Sequence, residues 1–258
     1  MSRKTLVERF RSARSDPALA VLEGFHPLKH AIRFGAELIE AVGLDMAELE
    51  GLRADFAPDI AGSMDEIVGV VPPDVFRRLA PIPPPTGVIA IARRPEVSLS
   101  KVLNDPSPSS VVLLENPRNL LNIGAAVRVA AAAGAAGVVT TGPQDPWNPA
   151  ALIAGAGLQY ALPVTRTSIG HITGPDSSRL LVVVDPSGEP LEQGSVPAHA
   201  LLAFGSERGG ISPQLMALAD GCVSIPMAPG VSSLNLATAV AVVLYSSGLT
   251  QHRQEGPG

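Results

Sequence analysis

The sequence predicts an α/β protein in two parts, a small N-terminal α/β unit and a larger doubly wound domain on a parallel sheet. Two observations carry this reading. From residue 111 onward, short apolar runs bounded by turn residues alternate with longer helix-like segments, the pattern left by strands buried on both faces. Before that alternation, residues 93–110 turn to Pro, Ser and Asp, the composition of a connecting segment. The expected boundaries are an N-terminal unit over 1–97, a linker over 98–108 and the larger domain over 109–258. With 258 residues, 46% hydrophobic and 17% charged, the chain can bury a sizeable core and is too apolar to be disordered.

In chain order, apolar residues at Leu19, Leu22, Leu28, Ile32, Leu38 and Ile39 predict helix over 9–42, with Pro17 and Pro27 as breaks or starts. A short strand is expected over 67–71, a short helix over 73–79 and a strand over 88–92 after the stiff prolines of 81–85. In the second part, strands are expected at 111–114, 137–140, 180–184, 201–204 and 223–225. Helices are expected at 123–133, 149–160, 213–220 and 234–245.

Composition also excludes classes of function. Net charge is −5, so the whole molecule does not attract polyanions, although residues 1–34 carry seven basic against three acidic side chains. Such a run is equally the solvated face of a helix. Only six Phe, two Tyr and one Trp are available as stacking platforms for unpaired bases. The single cysteine, Cys222, rules out a disulfide within the chain and a Cys-rich zinc site. His26 and His30 stand at i and i+4, but with no third ligand in view and Pro27 between them no metal is expected. The charged start MSRKTLVERF and the lack of any long apolar run give the expectation of a cytoplasmic protein without a membrane span.

Three strand-to-loop segments hold nearly all the chemistry-bearing residues. In the first, from Glu115 to Arg128, Asn122 suits an N-cap. Arg128 is the only charged residue between Asn119 and Thr141, on an Ala/Val/Gly helix expected to pack on both sides, so it calls for an anionic partner. In the second, an apolar strand ends in Gly205-Ser206-Glu207-Arg208-Gly209-Gly210, a turn whose glycines let a ligand approach the backbone. Its spacing is not the dinucleotide fingerprint, which weakens a Rossmann oxidoreductase reading with NAD. In the third, Ile225-Pro226-Met227 leads through a tight loop to Ser232, Ser233, Leu234 and Asn235 at a helix start, more capping residues than one helix requires.

In order, these segments resemble the three motifs of the SpoU/TrmH family within the SPOUT superfamily: N-[IL]-G-x3-R at Asn122 to Arg128, G-x-E-x2-G at Gly205 to Gly210, and IPM followed by SLN at Ile225 to Asn235. The resemblance covers about residues 109–250. It implies an S-adenosylmethionine-dependent RNA methyltransferase acting on a ribose 2'-hydroxyl, with a trefoil-knotted domain and an active site assembled in a homodimer. On matching positions it implies that Asn122, Arg128, Glu207, Ser233 and Asn235 form the catalytic pocket. Thr141, Gly205, Ile225, Met227 and Leu234 fall in the cofactor site. More weakly, LEGFHPLKHAIRFGAE and TGVIAIARRP resemble the family's small N-terminal substrate-binding domain, which favours ribosomal over transfer RNA. Departures are Pro229 for a glycine, Leu236-Ala237 for Val-Ser, and Ile153 and Gly155 where Arg and Ser are common; they bear on RNA contacts more than on the cofactor. A catalytically silent RNA-binding member is the alternative. Guanidinium keeps its proton, so Arg128 is assigned to a phosphate and to developing negative charge rather than to the role of base.

Overall fold

The computed structural model describes residues 5–60, 66, 68–172 and 177–248. It divides into two compact units, one of Met1–Glu96 with Trp147–Ala161 and one of Val97–Pro146 with Leu162–Gly258.

In the first unit, β1 (Leu19–Glu23), β2 (Leu38–Gly43), β3 (Val68–Val70) and β4 (Val88–Arg93) form a sheet of order β1-β4-β2-β3. The strand β4 pairs antiparallel with both β1 and β2, and β2 pairs parallel with β3. Val21, Ile89 and Ile91 meet Phe10 and Ala13 of the helix Leu6–Ala13, together with Phe76 and Leu79. The helices Phe25–Arg33 and Pro149–Ala154 also pack on this sheet, so β4 is buried along almost its whole length. The helical reading of 9–42, broken at Pro17 and Pro27, is therefore corrected in part: helix is kept up to Ala13 and over Phe25–Arg33, but Pro17 and Gly24 bracket one strand, Gly35 precedes another, and helix-like spacing of Leu and Ile does not separate short strands from helix. Residue 67, where the next expected strand began, lies outside the described residues. Three of the seven basic side chains of 1–34 are ion-paired, Arg9 on Glu40, Arg14 on Glu23 and Arg33 on Asp59, each at 2.6 Å.

The segment Trp147–Ala161 interrupts the second half of the sequence but packs in the first unit. Trp147 and Tyr160 meet edge to face at 5.0 Å, the Tyr160 hydroxyl donates to the Arg93 carbonyl at 3.1 Å, and His30 Nδ1 lies 2.6 Å from the Ala156 carbonyl. Gly157 has φ +75°, and a Cβ there would fall 2.5 Å from the Pro27 carbonyl oxygen, so only glycine fits. Ile153 and Gly155, the departures from the family pattern, both lie in this segment.

The second unit carries β5 (Val111–Leu114), β6 (Gly137–Thr140), β7 (Val164–Arg166), β8 (Leu180–Pro190), β9 (Ala200–Phe204) and β10 (Gly221–Ser224) in the order β10-β8-β9-β5-β6-β7. Every pairing is parallel. Val111 to Leu114 are fully buried, as their unbroken apolar run requires. The chain proceeds outward from β5 through β6 to β7 and then returns to the other side of β5, which makes the β5/β9 boundary a topological switch point. The helices Leu120–Ala132 and Leu236–Gly248 pack against each other.

The expected linker 98–108 is partly structural. It contains the helix Leu99–Leu103, whose Val102 and Leu103 enter the second unit's core. The chain after that helix is pinned by Arg179, buried to 5% exposure, which donates to the carbonyls of Ser109 (2.7 Å) and Asp105 (2.9 Å). Burial lowers the Arg179 pKa, an effect opposed by Asp105. Replacing Arg179 by Met keeps the stem but strands two carbonyls, a loss of about 2–4 kcal/mol. A urea unfolding midpoint unchanged in Arg179→Met would remove this role.

Candidate functional site

At the switch point, β5 is followed by the buried Glu115, which accepts from the backbone N–H of Ser212 at 2.7 Å, and β9 is followed by Gly205. A Cβ on Gly205 would lie 2.1 Å from the Gly210 carbonyl carbon, so the turn closes only around glycine. Ser206 and Gly210 exchange two backbone hydrogen bonds of 3.1 and 3.0 Å, and the Ser206 hydroxyl accepts from the Gly209 N–H at 3.1 Å. This small closed loop holds Glu207 beside the start of the helix Leu120–Ala132.

There the carboxylate accepts from the backbone N–H of Arg118 (3.0 Å), the backbone N–H of Asn119 (3.4 Å) and Nδ2 of Asn122 (2.9 Å). Oδ1 of Asn122 accepts from Nδ2 of Asn235 at 2.9 Å, and Oδ1 of Asn235 accepts from the backbone N–H of Ala237 at 2.9 Å. Residues from all three sequence segments thus form one chain of bonds. Partial burial pushes the Glu207 carboxyl up, but the bonds from Asn122, Arg118 and Asn119 outweigh it and hold it below the ordinary range.

A cavity of about 430 Å³ opens here, lined by Asn122, Gly205, Glu207, Ser233, Leu234 and Asn235, together with Val184, Asp185, Pro186, Phe204, Ser206, Gly210, Leu236 and Ala239. Four of the expected site residues do not line it. Thr141 is buried, its hydroxyl accepting from the backbone N–H of Asn116 at 2.9 Å. Ile225 and Met227 are half-buried, and Arg128 is exposed. Two expectations are thereby corrected. The cap of the helix Leu120–Ala132 is Asn119, whose side chain accepts from Leu121, so Asn122 stands one turn inside with its amide free for the site. Arg128 is not packed on both sides and has no ion-pair partner among the described residues, because it occupies the outward face of its helix.

Sequence reasoning missed Asp185. The strand β8 pairs with β10 at Val183↔Cys222 and next at Glu189↔Val223, so residues 184–188 bulge out between consecutive rungs. Gly188 backs onto β10, with a Cβ there falling 2.6 Å from the Val223 nitrogen, and the bulge presents Asp185 to the cavity. An acid directly after an apolar run, at the end of a parallel strand, was the available signal; the following Pro-Ser-Gly disguised it as an ordinary turn. Among the described residues, no cluster of three or more metal-ligating side chains exists, and no helix is long and apolar enough to cross a membrane.

The comparisons with known proteins agree with this geometry. The family model described as the SpoU rRNA Methylase family matches residues 109–245. A 23S rRNA (adenosine(1067)-2'-O)-methyltransferase of Streptomyces laurentii is 27% identical over 249 residues, 93% of this chain and 89% of that protein. An uncharacterized tRNA/rRNA methyltransferase of Mycobacterium bovis is 30% identical over 77% of this chain and 74% of its own length. Among solved structures, the SpoU methyltransferase AviRb of Streptomyces viridochromogenes, crystallised with AdoMet, superposes with a TM-score of 0.75 at 22% identity, covering 98% of this chain and all of that one. With the three motifs gathered around one cavity at the switch point of a parallel sheet, the chain belongs to the SpoU rRNA methylase family and has the SPOUT methyltransferase fold.

Proposed function

We propose that this protein transfers the methyl group of S-adenosylmethionine to a ribose 2'-hydroxyl of ribosomal RNA. The observation that carries the reading is the Glu207–Asn122–Asn235 chain of bonds on the wall of a cavity at the carboxyl ends of the strands. The residues fit the cofactor. The volume is within the ~300–1,000 Å³ of small-molecule sites. The Gly205 turn exposes backbone, and Leu234 and Phe204 supply apolar walls. Bound there, the cofactor supplies an electrophilic methyl group on a sulfonium. We assign Ile225, Met227 and Thr141, which do not line the cavity, to the same cofactor site.

The side chains of the pocket then position the acceptor. Asn122 is locked between Glu207 and Asn235, and Ser233 lies beside Asn235 on the lining, so a ribose hydroxyl entering there meets fixed polar groups rather than mobile ones. Arg128, exposed and free of an ion pair among the described residues, holds the phosphate next to that ribose and steadies negative charge as the hydroxyl loses its proton. The family's trefoil knot, an RNA-contacting role for the first unit and a cytoplasmic location without a resident metal belong to the same reading. A homodimer is supported by the exposed Leu121, Val231, Leu234 and Tyr245, apolar side chains on and beside the two packed helices.

Calorimetric titration with S-adenosylmethionine should show micromolar binding that falls more than tenfold in Leu234→Arg, whose new charge fills the cavity; equal binding by both proteins would refute the cofactor site. Incubation with labelled cofactor should place the methyl on ribosomal RNA as an alkali-resistant linkage. Arg128→Ala should keep cofactor affinity within about twofold and lose transfer by about 100-fold; normal turnover would remove Arg128 from the chemistry.

Glu207 makes the site acid-sensitive. Its pKa is depressed in the folded chain, so its stabilising bonds are fully present above the unfolded-state value of about 4.3 and are lost as pH falls through the lower folded value. Cofactor affinity should hold from pH 7 down through the ordinary carboxylate value of about 4.3 and fall only below it, and Glu207→Gln, which sets an amide N–H against one of three donors, should weaken it at every pH. An affinity that already falls between pH 6 and pH 5 would contradict this.

A further inference from the structure

The charge of the cavity is one-sided. Its lining contains two carboxylates, Asp185 and Glu207, and no lysine, arginine or histidine. Glu207 is committed to three donors on one side of the pocket. Asp185 is not. Its Oδ1 accepts from the backbone N–H and the hydroxyl of Ser187, at 3.0 and 2.7 Å. Oδ2 has no donor among the described residues and faces the glycine turn, where a Cβ built on Gly210 would lie 3.9 Å away. The half-buried carboxylate therefore keeps one oxygen open toward the cavity, where it can accept from or face a ligand. Its aim is fixed by the five-residue bulge of β8 and by Gly188 behind it. The field of Asp185 also reaches its surroundings, since the nearby Cys222 thiol is pushed up by burial and further by that carboxylate.

Methyl transfer changes the charge of what the pocket holds. The ribose oxygen forms a bond to the methyl carbon, the carbon–sulfur pair stays on sulfur, and the hydroxyl proton leaves to solvent. The cofactor thus goes from sulfonium cation to neutral thioether. We propose that Asp185 is a charge-selecting residue of the cofactor site, favouring the sulfonium form over the spent thioether so that the transfer itself loosens the product. This rests on reading the cavity as the S-adenosylmethionine site. It gives Asp185 a function distinct from that of Glu207, whose bonds organise the protein side.

The test is calorimetric titration of the full chain with S-adenosylmethionine and, separately, S-adenosylhomocysteine, at about 50 and 500 mM salt. The intact protein should prefer the sulfonium form about tenfold, roughly 1.4 kcal/mol, and the preference should shrink at high salt. Asp185→Asn keeps an oxygen for the Ser187 bonds and removes the charge. It should weaken S-adenosylmethionine about tenfold and S-adenosylhomocysteine less than twofold. Ser187→Ala, which breaks a turn bond but keeps the charge, should retain the preference. Equal loss of both ligands in Asp185→Asn, or no loss of either, overturns the proposal while leaving the cofactor site standing. An intact protein that binds neither ligand overturns the cofactor reading and this inference with it. If Asp185→Asn does not fold, the salt series on the intact protein decides: a preference indifferent to salt is not charge selection.

Discussion

Glu207 accepts hydrogen bonds from Arg118, Asn119 and Asn122, and a carboxylate can do nothing else with those donors. That restriction sets the direction of every bond beyond it. Asn122 must turn its NH₂ group to Glu207, so its oxygen faces Asn235; Asn235 must then offer its own NH₂ group, leaving its oxygen to receive Ala237 and Thr238 at the start of the helix Leu236–Gly248. An asparagine alone could sit either way round. Here a single ionised group removes the ambiguity for two amides and ties the third motif to the first.

The backbone around that group is arranged at close quarters. Gly205 admits the turn that carries Glu207, and Gly188 admits the bulge that carries Asp185; at each position a methyl group would overlap backbone atoms that cannot move aside. Both acids therefore project from rigid parallel strands through short glycine-supported excursions. This fixes polar groups at the end of a sheet whose central strands β5 and β9 are wholly apolar.

The second unit was legible because its signals are local. Runs such as Val111 to Leu114 and Leu201 to Phe204 can only be buried strands, and the motif residues stand directly after them. Its short β7, Val164–Arg166, offers only three residues and no such run. The first unit resisted for a physical reason: the strands Leu19–Glu23 and Leu38–Gly43 carry apolar residues on both faces, so their spacing imitates a helix. The allegiance of Trp147–Ala161 was invisible for another. Nothing in its composition distinguishes packing beneath Pro27 and Arg93 from packing on the sheet that flanks it in sequence. At the site, the motifs identified Asn122, Glu207 and Asn235, but the cap at Asn119 lies three residues before the expected one at Asn122, and the face that Arg128 occupies depends on how that helix packs, which the sequence does not show.

The distribution of charge around the cavity explains how an acidic protein can serve a polyanionic substrate. On its lining, the half-buried Asp185 and the exposed Glu207 stand with no cation beside them. Immediately outside, Arg118 and Arg208 are exposed, and each belongs to the same short loop as an element of the Glu207 arrangement; Arg128 is exposed further along the helix. Arg118 even donates its backbone N–H to Glu207 while its guanidinium lies in solvent. With a screening length of about 8 Å, phosphates approaching the mouth respond to these nearby arginines far more than to the net charge of −5. The carboxylates of the lining respond to what enters the cavity. In the proposed reading these two loops separate two opposite electrostatic tasks, attraction of an RNA backbone at the rim and retention of a cation within, and the separation depends on Glu207 being committed to its three donors.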